Sequence, residues 1–232
     1  MSKKLRVVLV AGDKGGTGKS LIASIYADRL IEESKPLILV ETDQRNPDFA
    51  RRFECLPDVR REYIPMTHDG MLDLLNVLAE AGQTTVIVNT PAACGDILAR
   101  KHDALAEAMD ELKAALCVLW PLDRQKDSVN LLRIFLELYA GDLDRLVVVK
   151  NGFFGDPARF DRWQESQTRT NLLKLRGARE AYLPELNPRI LDQVCDRPFY
   201  LSAANGSLPL GDRLEYRAWL RASRSIFDTL EN

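Results

Sequence analysis

Apolar residues along this chain fall into short β-branched runs that alternate with longer stretches where they recur every three or four positions. "LRVVLVA" (5–11) ends on glycines and predicts a buried parallel strand. In "KSLIASIYADRLIEES" (19–34), Ile22, Ile25, Tyr26, Leu30 and Ile31 share a helical face. "PLILVET" (36–42) predicts a second strand, with the polar "DQRNPDFARRF" after it as a loop, and "GMLDLLNVLAEAG" (70–82) predicts a helix. "TTVIVNTP" (84–91) is a third strand, stopped by Pro91. Helix at "LAEAMDELKAA", strand at "ALCVLWP" (115–121), helix at "DSVNLLRIFLELYA" (127–140) and strand at "RLVVVKN" (145–151) continue the alternation. From 156 the pattern loosens into a polar, arginine-rich helix and an exposed connection. A short strand, "EAYLP" (180–184), and a helix over roughly 211–230 close it. The order predicts an α/β fold of three layers, a mostly parallel sheet with helices on both faces, built as one domain over 1–232. No repeat, low-complexity tract or linker divides the chain.

Composition narrows this picture only slightly. The chain has 232 residues, 46% of them hydrophobic, enough for one substantial core. Lysines and arginines number 32 against 34 acids, a balance that argues against wrapping nucleic acid over the whole surface and leaves room for a local basic patch. Cys55, Cys94, Cys117 and Cys195 form no C-x-x-C pair and read as buried free thiols in a reducing cytosol. No stretch approaches the ~20 apolar residues of a membrane span, and the expectation is a cytoplasmic protein. His68 and His102 are the two histidines, which gives little sign of histidine-based acid–base chemistry.

The first strand–helix junction carries the chemistry. In "AGDKGGTGKS" (11–20), a glycine-rich turn between a buried strand and a helix aims backbone N–H groups and the positive end of the helix dipole at one point, which suits a polyphosphate. Gly15, Gly16 and Gly18 let the backbone approach, with Thr17 between them and Leu21 at the exit. In such a loop Lys19 would neutralise the β and γ phosphates, and the Ser20 hydroxyl would bind Mg²⁺. The general G-x-x-x-x-G-K-[ST] pattern nevertheless fails, because its first position falls on Asp13.

"KGGTGKS" instead resembles the deviant Walker A loop, K-G-G-x-G-K-[ST], of the ParA/MinD family of ATPases. The resemblance implies a three-layer P-loop NTPase fold, ATP and Mg²⁺ as cofactors, and an ATP-bound homodimer. It also implies that Lys14 is the signature residue, reaching the partner's nucleotide and stabilising charge on the transferring phosphoryl group as an arginine finger does. The family's acid-x-acid pattern at the end of the second strand is matched by Glu41 and Asp43 in "VETDQ". Asp43, 24 residues after Lys19, is thereby assigned to the attacking water and the Mg²⁺ shell. Glu41 departs from the usual aspartate.

Asn89 is a larger departure, since the family ends its third strand in an aspartate that holds a water on Mg²⁺. An amide oxygen still accepts that hydrogen bond but brings no charge, so the expectation is a slow ATPase that Asn89→Asp accelerates. "WPLDRQKDSV" (120–129) resembles the proline-bearing segment on the family's dimer side. Asn151 and Pro184 match its base-contacting asparagine and proline.

Arg213, Arg217, Arg221 and Arg224 fall in one arc of the last helix, with Arg159, Arg162, Arg169, Arg176 and Arg179 upstream. The arc reads either as a solvated face or as a non-specific, salt-dependent DNA contact of the ParA type. The tail "IFDTLEN" is acidic and lacks the lysine-rich face of MinD-type membrane helices, so no membrane partner is expected. These readings point to a dimerisation switch in plasmid partition or conjugative mobilisation, with a possible activating partner protein. Two alternatives stand beside it, an ATP-dependent synthetase of the same P-loop class and a nucleotide-binding scaffold with little hydrolysis.

Overall fold

The computed structural model describes residues 5–204 and 206–231; the charged opening of the chain lies outside them, as do Asn205 and Asn232. The elements run β1 Arg6–Val10, α1 Lys19–Glu32, β2 Leu37–Glu41, α2 Asp48–Arg51, β3 Arg60–Tyr63, α3 His68–Glu80 and β4 Thr85–Asn89. There follow α4 Gly95–Arg100, α5 His102–Glu111, β5 Ala115–Leu122, α6 Lys126–Tyr139, β6 Arg145–Asn151, α7 Asp161–Gln164 and α8 Gln167–Leu172. The chain closes with β7 Ala178–Leu183, α9 Pro188–Val194, α10 Phe199–Ala204, α11 Leu210–Arg224 and α12 Asp228–Glu231.

All strand pairs are parallel, in the order β3-β2-β4-β1-β5-β6-β7. Because side chains alternate across a strand, each central strand feeds two cores. In β1, Val7 and Leu9 join a cluster containing Leu78 of α3, Met109 of α5 and Leu132 of α6, whereas Val8 and Val10 join one containing Ile22 and Tyr26 of α1 and Tyr216 and Leu220 of α11. Burial on both sides is why these strands read as continuous apolar runs. Among the described residues, no helix is long and apolar enough to cross a membrane.

The sheet exceeds the expectation by one strand. β3 reads "RREY", with no apolar run to announce it, and hangs on the edge of the sheet against β2. Arg61 holds the preceding turn, its Nη1 donating to the carbonyls of Phe53 (3.0 Å), Leu56 (2.7 Å) and Val59 (3.0 Å). The stretch expected to be a loop after β2 contains the short helix α2. The cysteines are free, as expected, yet only Cys94 and Cys117 are buried; Cys195 is half-buried, and Cys55 is exposed in the turn after α2.

Candidate nucleotide-binding site

β1 lies between β4 and β5, at the point where the chain switches from building one side of the sheet to building the other. In open α/β sheets that crevice, beyond the carboxyl ends of the strands, is where ligands bind. The glycine loop leaves β1 there. Gly12, Gly16 and Gly18 have φ of 152°, 72° and 100°, a region that favours glycine. A Cβ on Gly18 would stand 2.5 Å from Asn151 Nδ2.

Lys19 opens α1 and turns back into the loop, its Nζ donating to the carbonyls of Gly12 (2.7 Å) and Lys14 (2.8 Å). It is 8% exposed, and burial pulls its ammonium below the ordinary lysine value, with the nearby Cys94, Asp13 and Asp43 opposing. Lys14 sits at the rim. Its Nζ is 2.6 Å from Asp123 Oδ2 and 2.8 Å from Gln125 Oε1, both in the connection between β5 and α6. Asp123 is itself fixed: its Oδ1 accepts from the Gln125 N–H (2.8 Å) and its own N–H donates to Ser128 Oγ (3.3 Å).

Asp13, the residue that breaks the general loop pattern, accepts a hydrogen bond from the N–H of Gly95 at the start of α4, and its carbonyl accepts from the Ala93 N–H at 2.9 Å. A carboxylate at this position therefore ties the loop to the segment after β4.

Glu41 and Asn89 are register partners on adjacent strands, each 1% exposed. Asn89 Nδ2 donates to Glu41 Oε1 (3.0 Å) and Ser20 Oγ (3.2 Å), leaving Oδ1 buried and without a hydrogen-bond partner. Glu41 also accepts from the backbone N–H groups of Asp43 (3.0 Å), Phe49 (3.2 Å) and Ala50 (3.4 Å), so it organises the loop into α2. Burial raises its pKa above the usual glutamate value, against these hydrogen bonds. Asp43 is half-exposed, its Oδ1 accepting from the N–H groups of Arg45 (3.0 Å) and Asn46 (3.1 Å).

These positions test whether Mg²⁺ fits. A buried acceptor with no donor is costly, and a metal-bound water is a donor of the right kind for Asn89 Oδ1. Ser20 supplies a hydroxyl beside it. Among the described residues no three His, Cys, Asp or Glu side chains gather into a cage.

On the opposite side of the loop, Asn151 Nδ2 donates to the Thr17 carbonyl (2.9 Å) and its Oδ1 accepts from the Phe153 N–H (3.1 Å). Its register partner Leu183 precedes Pro184, whose carbonyl accepts from Trp219 Nε1 (2.8 Å). Of the two expected base-side residues, Asn151 touches the loop and Pro184 follows its register partner on β7, and each already makes an internal bond. Gly15 and Gly16 are exposed, Thr17 is buried, and Leu21 packs half-buried on the α1 core.

The arginines of α11 do not share one environment. Arg224 is 2.7 Å from Asp28, which is fully buried in α1, and also pairs with Glu32. Arg217 donates to the Ala203 carbonyl (2.9 Å), Arg213 is half-buried, and Arg221 is exposed. Sequence reasoning missed Asp123 and Gln125 as the holders of Lys14 and missed Asp13 as a tether. The "PLDRQ" stretch (121–125), which runs from the end of β5 into the connection, carried the only signal for the former.

No protein-family model matches the chain. Protein MobD of Acidithiobacillus ferrooxidans is 28% identical over 223 residues, 96% of this chain and 96% of its own. MinD cell division protein of Aquifex aeolicus superposes with a TM-score of 0.53 at 16% identity, covering 96% of both chains. A putative plasmid partition protein of Borrelia burgdorferi B31 bound to AMPPNP gives 0.51 at 15%, covering 94% of this chain and 98% of that one. Chloroplast FtsY of Physcomitrella patens gives 0.55 at 12%, covering 95% and 66%. The seven-stranded parallel sheet with its glycine loop at the switch point is the three-layer α/β fold of P-loop NTPases, the fold that MinD and the partition protein share.

Proposed function

We propose that this chain binds Mg²⁺–ATP at residues 12–20 and uses it as a slowly hydrolysing dimerisation switch of the ParA/MinD type. The observation that carries this reading is the pair of ammonium groups on one glycine loop. Lys19 lies inside the loop, bonded to loop carbonyls that a triphosphate can replace, and Lys14 is held at the rim by side chains outside the loop. The loop N–H groups and the start of α1 receive the phosphates, Lys19 moves from the carbonyls of Gly12 and Lys14 to the β and γ oxygens, and Lys14 crosses to the nucleotide of a second subunit. Ser20, Asp43 and Asn89 are the residues that would hold Mg²⁺, directly or through water. When bound, the ion neutralises charge between the β and γ phosphates. Asn89 brings no negative charge to that shell, which supports slow turnover.

The likeness to MobD over nearly the whole of both chains supports a role in mobilisation, and that to the partition protein supports one in plasmid partition. Non-specific DNA contact falls to Arg217 and Arg221, the exposed arginines of the stripe. A synthetase of the same class needs a substrate cavity opening on the γ phosphate. One cavity of about 860 Å³, lined by residues including Asp48, Arg52, Cys55 and Arg197, includes no residue of the glycine loop.

The test is size-exclusion chromatography with ADP, ATP and a slowly hydrolysed analogue, for the wild type and Lys14→Ala. An ATP-dependent dimer lost in the variant is the expected result, and a monomer under every condition refutes the switch.

A further inference from the structure

The departures at positions 41 and 89 are one feature rather than two. We infer that Glu41 is the positioning residue for Asn89, and that its carboxylate dictates which end of the amide faces the metal. This rests on the Mg²⁺–ATP reading of the site and deepens it.

A carboxylate only accepts hydrogen bonds, and Glu41 cannot turn away from Asn89, because three backbone N–H groups pin its two oxygens. The amide must therefore offer its NH₂ to Glu41 Oε1 at 3.0 Å. The same NH₂ reaches Ser20 Oγ at 3.2 Å. Both donor hydrogens of Asn89 are then used within the protein, and the atom left over is Oδ1, buried and unpartnered. The backbone reinforces this choice, since the Asn89 carbonyl is occupied by Thr42, whose N–H and Oγ1 lie 3.1 and 2.7 Å away. Only the side-chain oxygen remains to accept from a metal-bound water.

An aspartate at position 89 would set two carboxylates about 3 Å apart with no donor between them. This changes the expectation drawn from sequence, in which Asn89→Asp alone improves the site. The acid belongs at position 89 only if an amide stands at position 41. In the double substitution, Glu41→Gln with Asn89→Asp, the new amide can turn its NH₂ to the new carboxylate and keep its oxygen for the N–H groups of Phe49 and Ala50, giving up only the acceptor of the Asp43 N–H, which is why the recovery is partial.

The experiment measures Glu41→Gln, Asn89→Asp and the double substitution in the full-length chain, by two readouts. The first is the thermal midpoint without nucleotide or metal. Asn89→Asp lowers it by about 5–10 °C and the double variant recovers at least half of that loss. Losses that simply add in the double variant, or an unchanged midpoint for Asn89→Asp, overturn the pairing.

The second readout is the Mg²⁺ concentration giving half-maximal binding of a fluorescent ATP analogue, which a purely structural role does not move. Glu41→Gln lets the amide flip and raises this concentration several-fold, while the double variant, with a carboxylate at the metal edge, brings it several-fold below wild type. A double variant with the wild-type requirement overturns the metal-facing role of position 89. A wild type that binds the analogue with no Mg²⁺ dependence overturns the Mg²⁺–ATP reading itself, and the nucleotide-free midpoints still decide the pairing.

Discussion

Replacing Asp123 by asparagine should make the proposed ATP-bound dimer tighter, because in the single chain Lys14 is already engaged. Its Nζ lies 2.6 Å from Asp123 Oδ2, in a pair whose side chains are 25% and 5% exposed. Fully exposed pairs contribute about 0–1 kcal/mol, and breaking fully buried ones costs about 3–5 kcal/mol. A pair with one shielded and one partly wet member falls between, at about 1–2 kcal/mol. A symmetric dimer that sends both lysines across the interface gives up two such pairs, roughly 2–4 kcal/mol, or about 30- to 700-fold in the dimer dissociation constant. The introduced asparagine keeps an acceptor for the Gln125 N–H, so the connection into α6 retains its shape. Sedimentation equilibrium with Mg²⁺ and a slowly hydrolysed ATP analogue measures the effect directly. Asp123→Asn should dimerise at lower concentration than wild type, and the gap should narrow as salt rises. A folded Asp123→Asn that dimerises no better than wild type would refute the argument that Lys14 must leave this partner.

Lys19→Ala should abolish binding of a fluorescent ATP analogue while leaving a folded protein; retained tight binding places the phosphates elsewhere. Arg224→Ala strips the cation from the fully buried Asp28, which keeps the Tyr200 N–H at 2.8 Å, and should cost about 3 kcal/mol, seen as a fall of roughly 6–12 °C in thermal midpoint. A shift under about 2 °C would show that Asp28 does not need its partner. Arg217→Gln combined with Arg221→Gln should leave that midpoint nearly unchanged and reduce the slope of log affinity for DNA against log salt by about 1–2 per subunit, and an unchanged slope removes α11 from any DNA contact. His102 bonds Asp103 at 2.9 Å and Asp142 at 2.7 Å, and these bonds, Asp103 first, raise its pKa above the usual histidine value against desolvation. The stabilisation is complete below about pH 6.5 and disappears as pH climbs through the raised folded-state value. The midpoint of wild type relative to His102→Asn should accordingly be higher at about pH 5.5 than at about pH 8.5, and a pH-independent difference would remove His102 from this role.

The core strands were legible because burial on both faces leaves a plain apolar signature, and β6 falls on the 145–151 expected from "RLVVVKN". β3 was not, since an edge strand of Arg60, Arg61, Glu62 and Tyr63 is held by backbone pairing and by Arg61, neither of which has a periodicity. α4, α9 and α10 are helices of six or seven residues, too short for a repeat of 3.6 to declare itself. At the site, Lys19 and Ser20 could be named from the spacing of the glycine loop, and Lys14, Asp43 and Asn89 from the resemblance to the ParA/MinD family. What spacing could not convey was contact between distant segments: Lys14 with Asp123, Asp13 with Gly95, and the Glu41 carboxylate that orients Asn89. Arg224 shows the same limit from the other side. A helical wheel groups it with Arg221, while the packing of α11 on α1 commits it to Asp28.

The Asp13–Gly95 tether makes the loop a mechanical joint. Neighbouring residues grip different shoulders of the fold, Asp13 the root of α4 and Lys14 the approach to α6, and those two helices touch each other. Under the proposed function, a nucleotide on the loop would load both handholds together. Occupancy would then be felt at that flank through two covalently adjacent side chains, with no relay across the core.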